Sequence, residues 1–214
     1  KKKNLKDVIA YALKGYLGVS GSSVIAHGDT IILSNALEQE SLGIYSIAKT
    51  LYRLIAIVPQ TVNSTIFGVL CEVDIKEAFQ IVKRVCLSIM TVFFISMIVA
   101  FIVLDELIVM IYGESFSSAF EPSLILMLAG TLMASTAAIN PLLLTQNKPF
   151  WSSKVTIFSG IVGLLACYIL TIYLGLNGAA FSVLISAAIT GSMRLFYYKK
   201  IQSINKAQLF YKEI

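Results

Sequence analysis

The sequence predicts an all-α integral membrane protein, a bundle of six transmembrane helices, on three observations. Of its 214 residues, 57% are hydrophobic and 14% charged, whereas a soluble domain carries about a quarter charged residues. Mean hydropathy is +0.81, an excess of apolar surface that needs lipid to cover it. The apolar residues fall into stretches of about 20 or more, the length that crosses a bilayer, separated by short polar breaks. Lysine and arginine also sort by break. One set of ends and breaks holds Lys1, Lys2, Lys3 and Lys6, then Lys76, Lys83 and Arg84, then Lys148 and Lys154, then Arg194, Lys199, Lys200, Lys206 and Lys212. The alternate breaks hold Glu38, Glu40 and Glu114 and no cation. Six alternating spans account for this pattern, and the positive-inside rule then places both termini in the cytoplasm.

The expected spans are 11–36, 42–71, 85–112, 120–146, 152–174 and 177–198, forming a single membrane domain over 1–214. The first carries Lys14, Gly15, Gly18, Gly21, Ser22 and Asp29 on one third of its circumference, with His27 on the opposite face in a packing role. The second gathers Ser46, Lys49, Arg53, Gln60, Asn63 and Ser64 onto one stripe. Charge at membrane depth is costly, so such stripes face protein or water rather than lipid. With the intervening turn centred near Gln39, Asp29 lies ten residues before it and Lys49 ten residues after it. At the helical rise, both sit roughly 10 Å inside the apolar layer, where they can form an ion pair. Arg53 lies one turn deeper. These charges form either a packing network or part of a substrate or ion path.

The stretch from Glu72 to Arg84 reads either as a short helix on the membrane interface or as a solvated connector. The third span has almost no polar residue between Leu87 and Leu104 and should face lipid. Pro59 in the second span and Pro141 in the fourth each remove a backbone donor and should kink their helices. The fifth span aligns Ser159, Gly160, Gly163, Ala166 and Cys167, and the sixth Gly178, Ser182, Ser186 and Thr190. Small residues at that spacing read as faces for close helix packing.

Several classes of function are excluded. No GxxxxGK[ST] loop, HExxH or CxxC occurs, and a single histidine cannot build a multi-histidine metal site. Cys71, Cys86 and Cys167 lack metal-ligand spacing. Asp105 and Glu106 diverge by about 100° on a helix, so they make no acid–base pair. The reading is therefore a protein without cofactor or metal, not an enzyme, whose net charge of +5 reflects topology rather than nucleic-acid binding. The basic start leads into no compact apolar signal segment. The chain begins without a methionine and is read as a fragment of a longer protein.

A family resemblance runs along nearly the whole chain. Its residues are His27-Gly28-Asp29, Leu42-Gly43-Ile44-Tyr45-Ser46-Ile47-Ala48, Val58-Pro59 and Ile111-Tyr112-Gly113-Glu114-Ser115-Phe116. Ala119, Leu124-Ile125-Leu126-Met127-Leu128, Asn140-Pro141-Leu142-Leu143 and Leu174-Gly175-Leu176-Asn177-Gly178-Ala179-Ala180 complete the set. In order and spacing these resemble the C-terminal half of bacterial polysaccharide flippases of the multidrug/oligosaccharidyl-lipid/polysaccharide exporter superfamily, which serve O-antigen and capsule. The resemblance implies one six-helix lobe of a two-lobed transporter in the bacterial cytoplasmic membrane. It also implies a lipid-linked oligosaccharide on undecaprenyl pyrophosphate as substrate, moved by alternating access. The missing N-terminal lobe, or a chain supplying it, would be a partner, as would membrane lipid and the polysaccharide polymerase machinery. Arg53, Lys49, Lys14, Gln60 and Asn63 are then the candidate cavity residues for an anionic head group, and Asp29 is the candidate for ion coupling. The alternatives are a drug/cation antiporter half of the same superfamily and a membrane scaffold that moves nothing.

Overall fold

The structure is a computed structural model that describes residues 28–210, with side chains as far as residue 205. Lys14, the glycine stripe of the first span and His27 lie outside the described residues. The chain runs as a succession of helices: α1 (28–36), α2 (Gln39–Glu72), α3 (Ile75–Tyr112), a 3-10 turn (Glu114–Ala119), α4 (Phe120–Ser135), α5 (Ile139–Thr145) and α6 (Pro149–Phe210). No strand occurs among the described residues. Four stretches are long and apolar enough to cross a membrane: Gln39–Glu72, Ile75–Tyr112, Glu114–Thr145 and Pro149–Asn205. This is an all-α, multi-pass membrane protein.

The last stretch does not run straight. Its 57 residues would make a rod of about 85 Å at the helical rise, far more than a bilayer requires. The chain reverses at Gly175, whose φ of 56° and ψ of −131° break the helix; residues with a Cβ seldom adopt that region. The two arms of α6 then lie against each other. The Ser186 hydroxyl donates across to the Ser159 carbonyl at 3.0 Å. Gly178 makes the reversal tight: a Cβ there would stand 2.0 Å from the Leu170 carbonyl oxygen. The sequence predicts a break at this point.

Two expectations are corrected. Residues 75–84 are neither a separate interfacial helix nor a connector; they are the first turns of α3. Nothing between Ile75 and Arg84 is Pro or Gly, and Glu77 lies in the first turn, where the positive end of the helix dipole favours it. The fourth expected span is also not one kinked helix but two helices, α4 and α5, separated at Thr136–Ala138. Pro141 explains the break. It has no N–H for the Ala137 carbonyl, and its ring clashes with that carbonyl in a regular helix. The Ala137 oxygen instead accepts from Asn140 N at 3.1 Å, and the Thr136 oxygen from Ile139 N at 3.2 Å. Asn140 is held in turn by the Ser152 hydroxyl, which donates to its Oδ1. Pro59, by contrast, is carried inside a continuous α2.

The stretch holding α4 and α5 is the centre of the bundle. Of its apolar window 61% is buried, against 11% for α2 and 17% for α3. Leu126 joins α2 and both arms of α6 in one core cluster with Tyr45, Ala48, Cys167 and Ala180. Met127, on the adjoining face, packs with Ile44, Ile47, Leu104 and Ile108 of α2 and α3. Leu142 and Leu143 of α5 close the opposite end with Leu70, Phe79, Val82 and Ile201. The outer face of α3 is bare: Met90, Phe94, Ile98, Phe101 and Ile102 are all exposed. Exposed apolar side chains on that scale face lipid, as the sequence of this span predicts.

The reversal gives a direct test. Gly178→Ala should lower stability by about 3 kcal/mol, the upper end for overpacking, because the atom it meets is backbone. Gly68→Ala, where a Cβ meets nothing within 4 Å, should change stability by less than about 1 kcal/mol. Thermal unfolding of the detergent-purified protein measures both.

Candidate functional site

Asp29 on α1 and Lys49 on α2 form an ion pair. Lys49 Nζ lies 2.6 Å from Asp29 Oδ2 and 2.8 Å from Oδ1. Thr30 completes the contact. Its backbone N–H and hydroxyl donate to Asp29 Oδ1 at 2.7 and 3.2 Å, and its Oγ1 accepts from Lys49 at 3.2 Å. The two charged side chains, Lys49 and Asp29, are 16% and 13% exposed, so each has given up most of its water to the other. The equal spacing of both residues from the α1–α2 turn predicts this pairing, and the structure contains it.

Below the pair opens a cavity of about 440 Å³ between α2, α4 and the two arms of α6. From α2 it is lined by Tyr45, Lys49, Tyr52, Arg53, Ala56 and Gln60. At 100° per residue these occupy about 100° of the helix circumference, a single stripe. The facing wall is the second arm of α6, which presents Ser182, Ser186, Thr190 and Arg194 at intervals of four residues. Ser159 and Gly163 come from the first arm, Leu126 and Met133 from α4. Tyr52 donates its hydroxyl to the Met133 sulfur at 3.3 Å. The buried Tyr45 hydroxyl has no hydrogen-bond partner among the described residues, so a polar group is left unspent on the cavity wall.

Among the described residues, three cations, Lys49, Arg53 and Arg194, and one carboxylate, Asp29, line the cavity. Among the described residues, Lys49–Asp29 is the one ion pair. Two positive charges therefore remain uncompensated in the described lining. Guanidinium groups present planar, fixed donors that match phosphate and carboxylate geometry, so the arrangement favours an anionic guest.

The structure thus brings together Asp29, Lys49, Arg53 and Gln60 of the predicted set. Lys14 lies outside the described residues. Asn63 does not line the cavity; it sits three residues beyond Gln60, with its Oδ1 buried and without a partner among the described residues. Ser46 and Ser64 also drop out: neither lines the cavity, and their hydroxyls bond to the Gly43 and Thr61 carbonyls. Arg194 is a cavity residue that the sequence pattern assigns instead to the basic C-terminal end. A signal for it exists: Ser182, Ser186 and Thr190 repeat every fourth residue, and one more step reaches Arg194. The stripes that read as packing faces in α6 do both jobs, packing at Ser159–Ser186 and lining the cavity.

The sequence pattern of a family described as "Polysaccharide biosynthesis protein" matches residues 1–121, more than half of the chain. The chain belongs to that family. It is also similar to a protein named "Probable low-salt glycan biosynthesis flippase Agl15" from Haloferax volcanii, with 24% identity over 206 residues. That alignment covers 94% of this chain and 44% of the relative, so the chain spans less than half of the length of the protein it matches. No solved structure matches.

The ion pair can be tested apart from any function. Removing one member of this part-buried pair takes a charge-assisted contact from the other, at a cost of about 2 kcal/mol. Asp29→Ala should therefore destabilise the protein by that amount, and adding Lys49→Gln should recover about half of it. Unfolding midpoints of the single and double variants read the coupling.

Proposed function

We propose that the chain is half of a flippase that carries a lipid-linked oligosaccharide across a membrane by alternating access, the other lobe being supplied by the rest of a longer protein or by a partner chain. The single observation that supports this most is the cavity with two uncompensated arginines in a family of polysaccharide biosynthesis proteins. A saccharide attached to undecaprenyl pyrophosphate carries its negative charge at the linker, and that linker must pass the apolar layer. Arg53 and Arg194 offset its lost hydration with charge-assisted hydrogen bonds. Gln60, Ser182, Ser186 and Thr190 are neutral hydrogen-bonding groups suited to sugar hydroxyls. The lipid tail stays in the bilayer, which the bare face of α3 already borders.

In this reading the whole chain forms one membrane domain of six spans, counting the two arms of α6 separately, with both termini cytoplasmic. Asp29 is the coupling carboxylate. A proton or Na⁺ taken up there weakens its hold on Lys49 and so couples the ion gradient to a cation on the cavity wall. The protein is a transporter rather than an enzyme, and it works beside the machinery that polymerises the exported saccharide. A drug/cation antiporter is the weaker reading, since the one carboxylate in the described lining already holds Lys49.

Export at matched expression tests the proposal. Arg53→Gln and Arg194→Gln in the full-length protein should each reduce cell-surface polysaccharide about tenfold or more, the loss expected for one hydrogen bond to a charged group. Asp29→Asn should abolish dependence on the ion gradient. Unchanged export in both arginine variants would leave the scaffold reading standing.

A further inference from the structure

A second cavity, of about 430 Å³, lies at the other end of the bundle, between the first turns of α3 and the last turns of α6. Its floor is apolar, made by Ile75, Phe79 and Tyr198. Tyr198 packs edge-on against Phe79 at 5.1 Å and donates its hydroxyl to the Phe79 carbonyl at 3.3 Å. Its rim is polar, with Lys76 and Lys83 on α3 and Asn205 on α6. Lys76 and Lys83 are seven residues apart, two turns along one face of the helix. Glu77 lies about 100° round from Lys76, and neither lysine makes an ion pair among the described residues. The Asn205 side-chain amide is buried, and its nitrogen has no hydrogen-bond partner among the described residues.

The depth of this groove decides what it can hold. The apolar part of α3 begins after Arg84, and about 20 residues from there suffice to cross the hydrocarbon layer. Lys76 and Lys83 precede that part, so they lie at the level of the lipid headgroups. At the same end, Lys148, in the turn before α6, and Lys200 of α6 stand 5.6 and 5.1 Å from the ring of Trp151, which stacks on Tyr197 at 4.7 Å. Aromatic rings and cations placed together in this way anchor a helix end at the membrane interface. An apolar floor beneath two ammonium groups and an amide donor, none of them paired among the described residues, at headgroup depth, matches a phospholipid with its glycerol and upper acyl chains on the floor and its phosphate at the rim.

We propose that the groove between α3 and the end of α6 is a binding site for an anionic phospholipid, its headgroup phosphate held by Lys76, Lys83 and Asn205. Basic pockets between spanning helices take such headgroups. This site is separate from the cavity that holds Arg53 and shares no lining residue with it. A lipid there ties the start of α3 to the end of α6, two segments that meet at this end through Tyr198 and Phe79.

Native mass spectrometry of the intact protein, offered equal amounts of phosphatidylglycerol and phosphatidylcholine, tests the site. The wild type should retain phosphatidylglycerol in preference. Lys76→Gln with Lys83→Gln should weaken that binding about 30-fold, the equivalent of about 1 kcal/mol for each lysine. Lys76→Arg with Lys83→Arg should keep it, and Asn205→Leu should weaken it. Lys199→Gln, outside the groove, should leave it unchanged. Equal retention of both lipids by the wild type, or undiminished phosphatidylglycerol binding by the double glutamine variant, overturns the proposal. So does displacement of phosphatidylglycerol by an equal concentration of inorganic pyrophosphate, which would make the occupant a soluble anion. Should the double glutamine variant fail to fold, Asn205→Leu decides: full binding by that variant overturns the site.

Discussion

A cation held among apolar helices has to be paired or kept in contact with water, and the arrangement of α1, α2 and α6 follows from that constraint. Lys49 is paired, with Asp29 of the helix before it. Arg53 and Arg194 are not paired with any described carboxylate, and both lie on the wall of a cavity large enough for water or a guest. Had the polar stripe of α2 been turned outward, Arg53 would face lipid tails, at a cost of several kcal/mol. The stripe instead borders the cavity, where Arg53 and Gln60 stay exposed and the second arm of α6 presents its small hydroxyl residues from the facing wall.

That arm depends on two local features of the chain. The reversal at Gly175 and Gly178 brings it antiparallel to the first arm, with Ser186 bonded to Ser159. At the turn itself, Asn177 donates to Glu121 at 2.8 Å and fixes the hairpin to the start of α4. Further down, Gly191 of the arm rests on Thr136, where a Cβ would meet the threonine methyl at 3.7 Å. Thr136 is the first residue of the break imposed by Pro141. The break in the central helix therefore lies against the arm that carries Arg194, one turn before the arginine. Three backbone residues of the central helix are thus outside the regular α-helical ladder where it contacts a charged wall of the cavity.

Much of this architecture is legible in the sequence, because the strongest signals are local. Apolar length and the sorting of cations fix which segments enter the membrane, and the polar stripe of α2 shows which of its faces avoids lipid. The Asp29–Lys49 pair is legible because both residues are counted from the same turn. Pro141 announces a disturbance but not a full break, since the number of turns lost depends on whether Asn140 finds Ser152 to hold it. The continuity of α3 through residues 75–84 is hidden because a charged segment has the same composition whether it coils or is helical beyond the membrane. Arg194 is hidden for a different reason. Its neighbours in sequence, Lys199 and Lys200, are basic, and the side it faces is set by the hairpin rather than by those neighbours. Stripe periodicity outranks the charge of nearby residues in such a case.

The three cations are not level with one another. Lys49 lies ten residues from Gln39 and Arg53 fourteen, while Arg194 lies nineteen from the reversal at Gly175 at the same end of the bundle. At the helical rise these are distances of about 15, 21 and 28 Å from the turns. A single cluster of three cations would bind an anion tightly and hold it, whereas a path needs sites strong enough to admit the guest and weak enough to release it. Spacing the charges along the depth of the bundle meets that requirement, and Asp29 lowers the pull of the first of them. On the flippase reading, the anionic linker meets these described cations at successive depths of the bundle. Neutral residues at these positions would carry no such desolvation cost.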